Sequence, residues 1–426
     1  MIIGGVIIGF VSRVKGKKVK LGASKSPFMQ QTKLWTLVLI VAITGCNEQN
    51  ETLQKQWYKG NLHTHSYWSD GDEFPEMIMD WYKSRDYQFV ALTDHNTLAE
   101  GEKWKTLSKD TVYQEGFRKY LEKYGEEWVR YRSDSLGRTE VQLKTYESYR
   151  GLFEEKEKFL ILQSEEITDQ FEQKPVHMNA TNVQRKIDPQ GGSSVLEVMQ
   201  NNIDAVEQQS QELGEPMHTI INHPNFFYAI SLQDLIALRN GRFFELYNGH
   251  PMVNNLGDSS HLSTERMWDL INVAYIQDGK PLMYGLATDD SHHYHQAGAK
   301  WSNAGRGWIQ VRADSLSPGA ILSAMESGDF YASTGVVLRD LDNQGDRLSV
   351  AVEAEPGVGY RIAFIGCKKG ETDARVLHSV EGEKATFDLT EDLLFVRCKI
   401  VSSKLQENPI EAFVYEMAWT QPIQPK

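Results

Sequence analysis

Gly60-Asn-Leu-His-Thr-His-Ser66 is the stretch whose reading decides the fold, because it sets two imidazoles two residues apart at the end of a short apolar run. Side chains at i and i+2 of an extended segment share a face, so His63 and His65 can grip one ion. A single His-X-His pair is a weak signal. Its weight comes from recurrence. From residue 58 to about 310, short runs rich in Val, Ile, Leu and Phe alternate with longer amphipathic or polar stretches, the pattern of β/α units. Seven runs read as strands: Gly60–Leu62, Phe89–Leu92, Phe159–Leu162, Val176–Asn179, Thr219–Ile221, Phe243–Leu246 and Leu282–Leu286. Helices are expected between them, among them Pro75–Arg85, with Pro near the start where its missing N–H costs nothing, and Val195–Glu212.

Each strand ends, or in the fourth case begins, on metal-ligand chemistry. In order these are His63-Thr-His65, Asp94-His95-Asn96, Glu165-Glu166, His177, Asn222-His223-Pro224, Asn248 and Asp289-Asp290-Ser-His292. Loops converge on a site at the carboxyl edge of a parallel β/α sheet. Six of the twelve His lie at such ends, a preference scattered core histidines would not show. A barrel sets its first and last strands side by side, so the His63/His65 and Asp290/His292 pairs should be neighbours. Glu166, His177 and His223 add a carboxylate able to bridge two cations and further imidazoles. Mixed N and O donors favour Zn, Mn or Fe over Ca or Mg, and the lack of a nearby Cys argues against a structural zinc knuckle. Asp94 is expected to orient a ligating imidazole. Glu165 and Asp289, each beside a better-placed carboxylate, are expected to be structural or to support the ligands from behind, and His218, His250, His261, His293, His295 and His378 to be surface or core histidines, with His293 and His295 the foremost exceptions.

A long insertion, 98–158, separates the second and third strands; its dense Glu, Lys, Arg, Tyr and Trp suggest solvated helices, or a lid over the catalytic edge. Beyond Leu338 the rhythm becomes alternating strands, Leu348–Ala354, Tyr360–Cys367, Leu394–Ser402 and Glu411–Trp419, expected to form a small sandwich-like all-β domain over 338–426, behind a catalytic domain over 58–337.

The first 45 residues differ in kind, with seven Lys or Arg and no Asp or Glu. Lys33 followed by Leu-Trp-Thr-Leu-Val-Leu-Ile-Val-Ala-Ile-Thr-Gly-Cys46 reads as a positive region, an apolar run too short to span a bilayer comfortably and a small-residue cleavage site. It resembles a bacterial lipoprotein signal with Ile43-Thr44-Gly45-Cys46 as lipobox, which implies lipidation of Cys46, a linker over 46–57 and a lipid-anchored, extracytoplasmic place in the cell envelope. Residues 1–28 do not fit such a signal, and Met29 is its natural start. Without residues 1–45 the net charge moves from −13 to about −20, a surface that repels polyanions and speaks against binding nucleic-acid duplexes. Cys367 and Cys398, the thiols then left, could pair in an oxidising compartment or stand as two buried free Cys.

Asn61-Leu-His-Thr-His-Ser66, Ser69-Asp-Gly71, Leu92-Thr-Asp-His-Asn96, Glu166-Ile-Thr168, Ile221-Asn-His-Pro224, Glu245-Leu-Tyr-Asn-Gly249 and Asp290-Ser-His292 together resemble the ordered motifs of the PHP (polymerase and histidinol phosphatase) superfamily, over about residues 58–335. The resemblance implies a distorted TIM-like (β/α)7 barrel and two or three divalent ions. It implies one ion on His63, His65, Glu166 and Asp290, a second on Glu166, His177 and His223, and a third on Asp70, His95 and His292. Many members have His where this chain has Asp70. The implied activity is phosphoester hydrolysis by a metal-bridging hydroxide, with His63, His65, Glu166, His223, Asp290 and His292 at the reaction centre and a small phosphorylated substrate. Arg306, in Gly305-Arg-Gly-Trp308, is a candidate phosphate clamp or a surface arginine. The competing expectations are hydrolysis of an amide, carbamate or ester at the same metals, and a non-catalytic binding lipoprotein, against which the intact ligand set argues.

Overall fold

A computed structural model describes residues 55–343, 345–410 and 415–425. The leader and signal peptide expected over 1–45, Cys46 and the linker up to residue 54 lie outside the described residues. The chain is mixed α/β. In order it forms β1 (Gln56–Asn61), α1 (Pro75–Lys83) and β2 (Phe89–Leu92), then in the insertion β3 (Trp104–Thr106), α2 (Thr111–Trp128), β4 (Tyr131–Ser133), β5 (Thr139–Gln142) and α3 (Tyr146–Phe153). There follow β6 (Leu160–Phe171), β7 (Lys174–Thr181), α4 (Val195–Leu213), β8 (His218–Ile221), α5 (Leu232–Ala237), β9 (Phe243–Asn248), α6 (Thr264–Gln277) and β10 (Tyr284–Thr288). The remainder comprises β11 (Trp308–Ala313), α7 (Pro318–Glu326), β12 (Phe330–Ser333), β13 (Leu338–Asp342), β14 (Arg347–Val352), β15 (Tyr360–Lys368), β16 (Arg375–Glu381), β17 (Lys384–Asp388), β18 (Leu393–Leu405) and β19 (Tyr415–Thr420).

The seven strands read from the sequence correspond to β1, β2, β6, β7, β8, β9 and β10. They are neighbours in one 13-stranded sheet of order β10-β9-β8-β7-β6-β2-β1-β11-β12-β19-β18-β15-β16. Two departures have local causes. β7 runs antiparallel to both β6 and β8, because only residues 172 and 173 separate β6 from β7, too few for a parallel crossover. That reversal explains why His177 stands near the start of its strand: β7 begins at the edge where its parallel neighbours end. Second, the sheet is open. The expected closed ring is not formed by strand ladders, since the second edge of β1 is taken by antiparallel β11. β1 and β10 are joined beyond their ends by one parallel bridge, Thr64–Ser291, with Ser291 O accepting from His65 N–H and His63 O from Asp290 N–H.

Helices cover the sheet for ordinary reasons. α4 starts on Ser194, whose hydroxyl accepts from Glu197 N–H, ends on Gly214 in the left-handed region, and buries Val198, Met199, Ile203 and Val206. α5 starts on a reciprocal Ser231–Asp234 capping box. Among the described residues no helix is long and apolar enough to cross a membrane.

The insertion is not purely helical: β3, β5 and β4 make a three-stranded sheet, missed because each run is only three or four residues long. Its Tyr120, Tyr146, Tyr149 and Phe153 join Phe74, Ile78 and Tyr82 of the α1 region in one apolar cluster. In the carboxyl-terminal part, β13, β14 and β17 form a separate sheet whose Leu338, Leu341, Leu348 and Val350 pack on Ile362, Phe364, Cys398 and Ile400 of the large sheet. Cys367 and Cys398 are buried free thiols on adjacent strands, three residues out of register.

Candidate metal centre

Beyond the ends of β1, β2, β8 and β10, and within the β6–β7 hairpin, His, Asp and Glu side chains converge. Four overlapping groups have ligand atoms mutually within 4.8 Å: His65, Asp70, His95 and His292; His63, Glu166 and His223; His63, His65 and Asp290; and His95, Glu166 and His177. Every residue expected as a ligand falls in one of them. The grouping differs from the implied one. His65 also reaches the Asp70, His95 and His292 group, His63 joins Glu166 and His223, His177 falls with His95 and Glu166 instead of with His223, and Glu166 lies outside the His63, His65 and Asp290 group.

The separations identify what the cluster is built for. His63 Nε2 lies 3.5 Å from Glu166 Oε1 and 3.3 Å from Asp290 Oδ1; His65 Nε2 lies 3.5 Å from Glu166 Oε2 and 3.3 Å from Asp290 Oδ1. His177 Nδ1 and His223 Nε2 stand 3.3 and 3.5 Å from Glu166 Oε1, while Asp70 Oδ1 is 3.4 Å from both His95 Nε2 and His292 Nε2. Two donors about 2.1 Å from one tetrahedral ion stand about 3.4 Å apart. His63 Nε2 and His65 Nε2 are fully buried and make no well-formed hydrogen bond among the described residues, which is costly unless an ion takes the lone pair. The donor set therefore fits divalent cations.

Backbone conformation contributes to the convergence. Asp290 and His223 hold positive φ, 48° and 22°, which non-glycine residues rarely adopt and which marks a constrained site. Gly71 is required beside Asp70: a Cβ there would meet the His65 carbonyl carbon and oxygen at 2.5 Å, so only glycine lets this loop lie on the His-X-His segment.

A further set of side chains holds these residues in place. His63 Nδ1 is 2.6 Å from Glu245 Oε1. Glu245 also accepts from His223 N–H at 2.7 Å, Asn248 Nδ2 at 2.8 Å and Thr288 Oγ1 at 2.7 Å. Asn222 Nδ2 donates to Glu166 Oε1 at 2.7 Å, and Asn248 Nδ2 to Asp290 Oδ2 at 3.0 Å. Glu245 was quoted in a motif without a role; the signal that could have found it is a buried acid in the otherwise apolar run Phe243-Phe-Glu-Leu-Tyr247.

The electrostatics are those of a cation trap. Burial raises the Glu166 carboxyl, but His177, His95 and His63 outweigh it and hold the group well below the usual range; Asp290 is likewise held low, against burial, by His63, His65 and His292. Burial lowers His65 to about 3, with His292 adding to the effect, so this imidazole keeps a free lone pair at neutral pH. His95 is pushed up to about 11, against burial, chiefly by Glu166 and Asp70. Carboxylates dominate the local field.

Three expectations are corrected. Arg306 is no phosphate clamp on the cavity: only 2 % exposed, it donates to Asn408 O, Gly249 O, Trp301 O, Gly298 O and Asn408 Oδ1, so all five guanidinium donors are taken by the protein. Asp94 makes no direct hydrogen bond or ion pair to an imidazole among the described residues; it accepts from Ser66 N–H at 2.8 Å, Ser66 Oγ at 2.6 Å and Ser69 Oγ at 2.6 Å, tying down the loop that carries Asp70, and bears on His65 only through Ser69, whose Oγ is 3.5 Å from His65 Nδ1. His250, expected to be surface or core, lines the cavity over the centre, as does His293, which was expected as an exception. Glu165 and Asp289 point away from the centre, Glu165 accepting from Ile187 N–H and Asp289 from Tyr82 Oη–H, Arg306 N–H and Gly307 N–H.

The cavity has a volume of about 360 Å³, and its wall above the ligands consists of Phe226, His250, Met252 and His293; among the described residues the lining has none of the 98–158 insertion and no Lys or Arg. Phe226 pairs with Val253 through an antiparallel bridge and packs its ring 5.1 Å from that of His223.

No protein-family model and no curated protein matches this chain. Among solved structures it is similar to a two-domain protein from Bacteroides vulgatus, named as containing a predicted PHP-like metal-dependent phosphoesterase, at 14% identity over 87% of this chain and 96% of that one, with a TM-score of 0.37. It is also similar to an amidohydrolase from Chromobacterium violaceum solved with bound sulfate and no metal, at 13% identity over 55% of this chain and 87% of that one, with a TM-score of 0.26. These likenesses are remote, and the roles assigned below rest on this chain's own residues.

Proposed function

We propose that this chain is a metal-dependent hydrolase, and within that class a PHP-type phosphoesterase acting on small phosphomonoesters or diesters. The observation that carries the reading is the pair of buried nitrogens, His63 Nε2 and His65 Nε2, which make no well-formed hydrogen bond among the described residues and stand 3.3–3.5 Å from oxygens of Glu166 and Asp290. His63, His65, Glu166 and Asp290 would hold one ion, Glu166, His177 and His223 a second, and Asp70, His95 and His292 a third, with Zn, Mn or Fe suited to the donors. Such ions, when bound, supply Lewis acidity and bring the pKa of water towards neutrality.

The protein's own part is to position and to hold protons. Glu245 fixes the His63 tautomer by accepting from Nδ1–H, which leaves the Nε2 lone pair directed into the centre. Asn222 and Asn248 orient the Glu166 and Asp290 carboxylates by amide donation. Burial lowers His250 to about 4, so it is neutral at neutral pH; its Nδ1 accepts from Met252 N–H, leaving Nε2–H as a donor for a substrate oxygen in the cavity. Phe226 and Met252 give one side of the cavity an apolar wall.

Around the centre, β1, β2 and β6 to β10 are read as a distorted seven-stranded barrel whose seam is the single Thr64–Ser291 bridge. The lipid anchor at Cys46, and with it an extracytoplasmic place in the cell envelope, rests on the sequence of the signal alone.

A second reading, hydrolysis of an amide, carbamate or ester at the same centre, is favoured by one observation: among the described residues the lining of the cavity contains no Lys or Arg, so ions alone would have to hold a phosphoryl group. One assay separates the two. Metal-loaded protein is given panels of phosphoesters and of carbonyl substrates. Phosphate release that is lost in His63→Ala and Asp290→Ala supports the first reading, and turnover of carbonyl substrates only would sink it.

A further inference from the structure

A second cavity lies outside the metal centre, between β1, the end of α1 and the segment that leads from β10 to β11. It measures about 710 Å³, roughly twice the volume of the metal cavity. Lys59 stands in its wall, at a position of β1 that faces Gln310 of β11, two residues from Trp308. Its Nζ lies 3.9 Å from the centre of the Tyr87 ring and 4.2 Å from that of Trp308. Among the described residues this ammonium has no hydrogen bond or ion pair; Asp289 and Asp86 act on it only at longer range. A half-buried ammonium without a counter-ion is costly, and burial lowers its pKa to about 8.

The rest of the lining suits the same kind of ligand. Trp81 adds a third aromatic wall and carries Arg85 on its face, the guanidinium 4.3 Å from the ring centre. Glu407 is the opposing carboxylate, so Lys59 and Arg85 leave the lining with a surplus of positive charge. Cations already occupy faces of these rings, which disfavours a cationic ligand and favours an anionic one. At Gly305, which holds φ of +88°, a Cβ would come within 3.0 Å of the Trp81 ring, so glycine lets this part of the wall lie against Trp81.

We propose that this cavity is a second ligand site, independent of the metals, for a small organic anion of the sugar-acid or sugar-phosphate type. The carboxylate or phosphate meets Lys59 Nζ, and the carbon skeleton fills the cavity between Lys59 and the 297–305 segment. The chain that supplies His292 and His293 to the metal cavity continues into the segment that supplies Gly298 and Gly305 to this one, but the two linings have no residue in common.

The test uses the full chain in excess chelator, so that anions cannot bind through metals. D-Glucuronate, glucose 6-phosphate, inorganic phosphate and glucose are titrated, with tryptophan fluorescence and calorimetry as readouts. At least one of the two sugar anions binds, inorganic phosphate binds more weakly and glucose not at all. Lys59→Met weakens the binding by about tenfold or more, while Lys59→Arg largely keeps it and Glu407→Gln tightens it. A response to only one sugar anion supports the site and identifies the charged group it takes. Absence of binding by both, equal binding of glucose, or unchanged affinity in Lys59→Met overturns the proposal. Should Lys59→Met fail to fold by circular dichroism, a Glu407→Gln protein that binds no more tightly than the parent overturns it instead.

Discussion

His63 Nδ1 stands 2.6 Å from Glu245 Oε1, with both side chains fully out of contact with solvent. The pair fixes which nitrogen of His63 faces Glu166 and Asp290, and the carboxylate that does so is saturated by three other donors. Glu245→Gln removes the charge while keeping the shape. The expected outcome is a metal affinity about 10–100-fold weaker, measured by competition with a chromophoric chelator, with the fold intact by circular dichroism. Unchanged affinity would remove Glu245 from the account.

Loss of Arg306 should be felt in stability rather than in chemistry. Arg306→Lys cannot reproduce five donors in a planar fork, and leaves carbonyls of Gly249, Gly298, Trp301 or Asn408 without a partner. Destabilisation on the order of 2–4 kcal/mol is expected by denaturant unfolding, with metal affinity little altered. Loss of substrate affinity at unchanged stability would restore the phosphate-clamp reading.

The buried Glu73 carboxyl gives a pH-dependent contribution of defined sign. Burial, with Asp72 and Glu76 adding to it, raises its pKa to about 8 against 4.5 for the ordinary group. The folded state thus binds a proton more readily than the unfolded state, so this stabilisation is fully present below about pH 4.5 and is lost as pH rises through about 8. The stability difference between Glu73→Gln and the parent should grow in favour of the variant from pH 5 to 8. A difference independent of pH over that window would contradict the assignment.

Chelation should lower the melting temperature and re-addition of Zn or Mn restore it, because ions that bind only the folded state stabilise it by mass action. In His63→Ala and in Asp290→Ala the metal-dependent part of the shift should shrink. Identical melting curves for loaded and stripped parent protein would speak against a preformed centre.

Much of the centre was legible because its residues recur at one structural position. Each of the seven strands was found from its apolar run, and the ligand types stood at the edge where parallel strands end. The β6–β7 reversal was not legible: Glu172-Gln173 lacks the Asn-Gly or Gly signal of a two-residue hairpin, although Glu172 does adopt a positive φ of 55°. Arg306 was misread because sequence records proximity to a motif but not the carbonyls that fold back upon a guanidinium. Asp94 was misread for a related reason, since its serine partners Ser66 and Ser69 are brought to it by the turn of the loop. His250 carried no repeating pattern, and only the cavity reveals it.

Metal analysis of the purified, metal-replete protein beside His63→Ala and Asp290→Ala tests the central claim most directly. The account predicts two or three equivalents of transition metal per chain, falling by at least one in each variant. Fewer than two equivalents in the parent, or the same content in all three proteins, would contradict it.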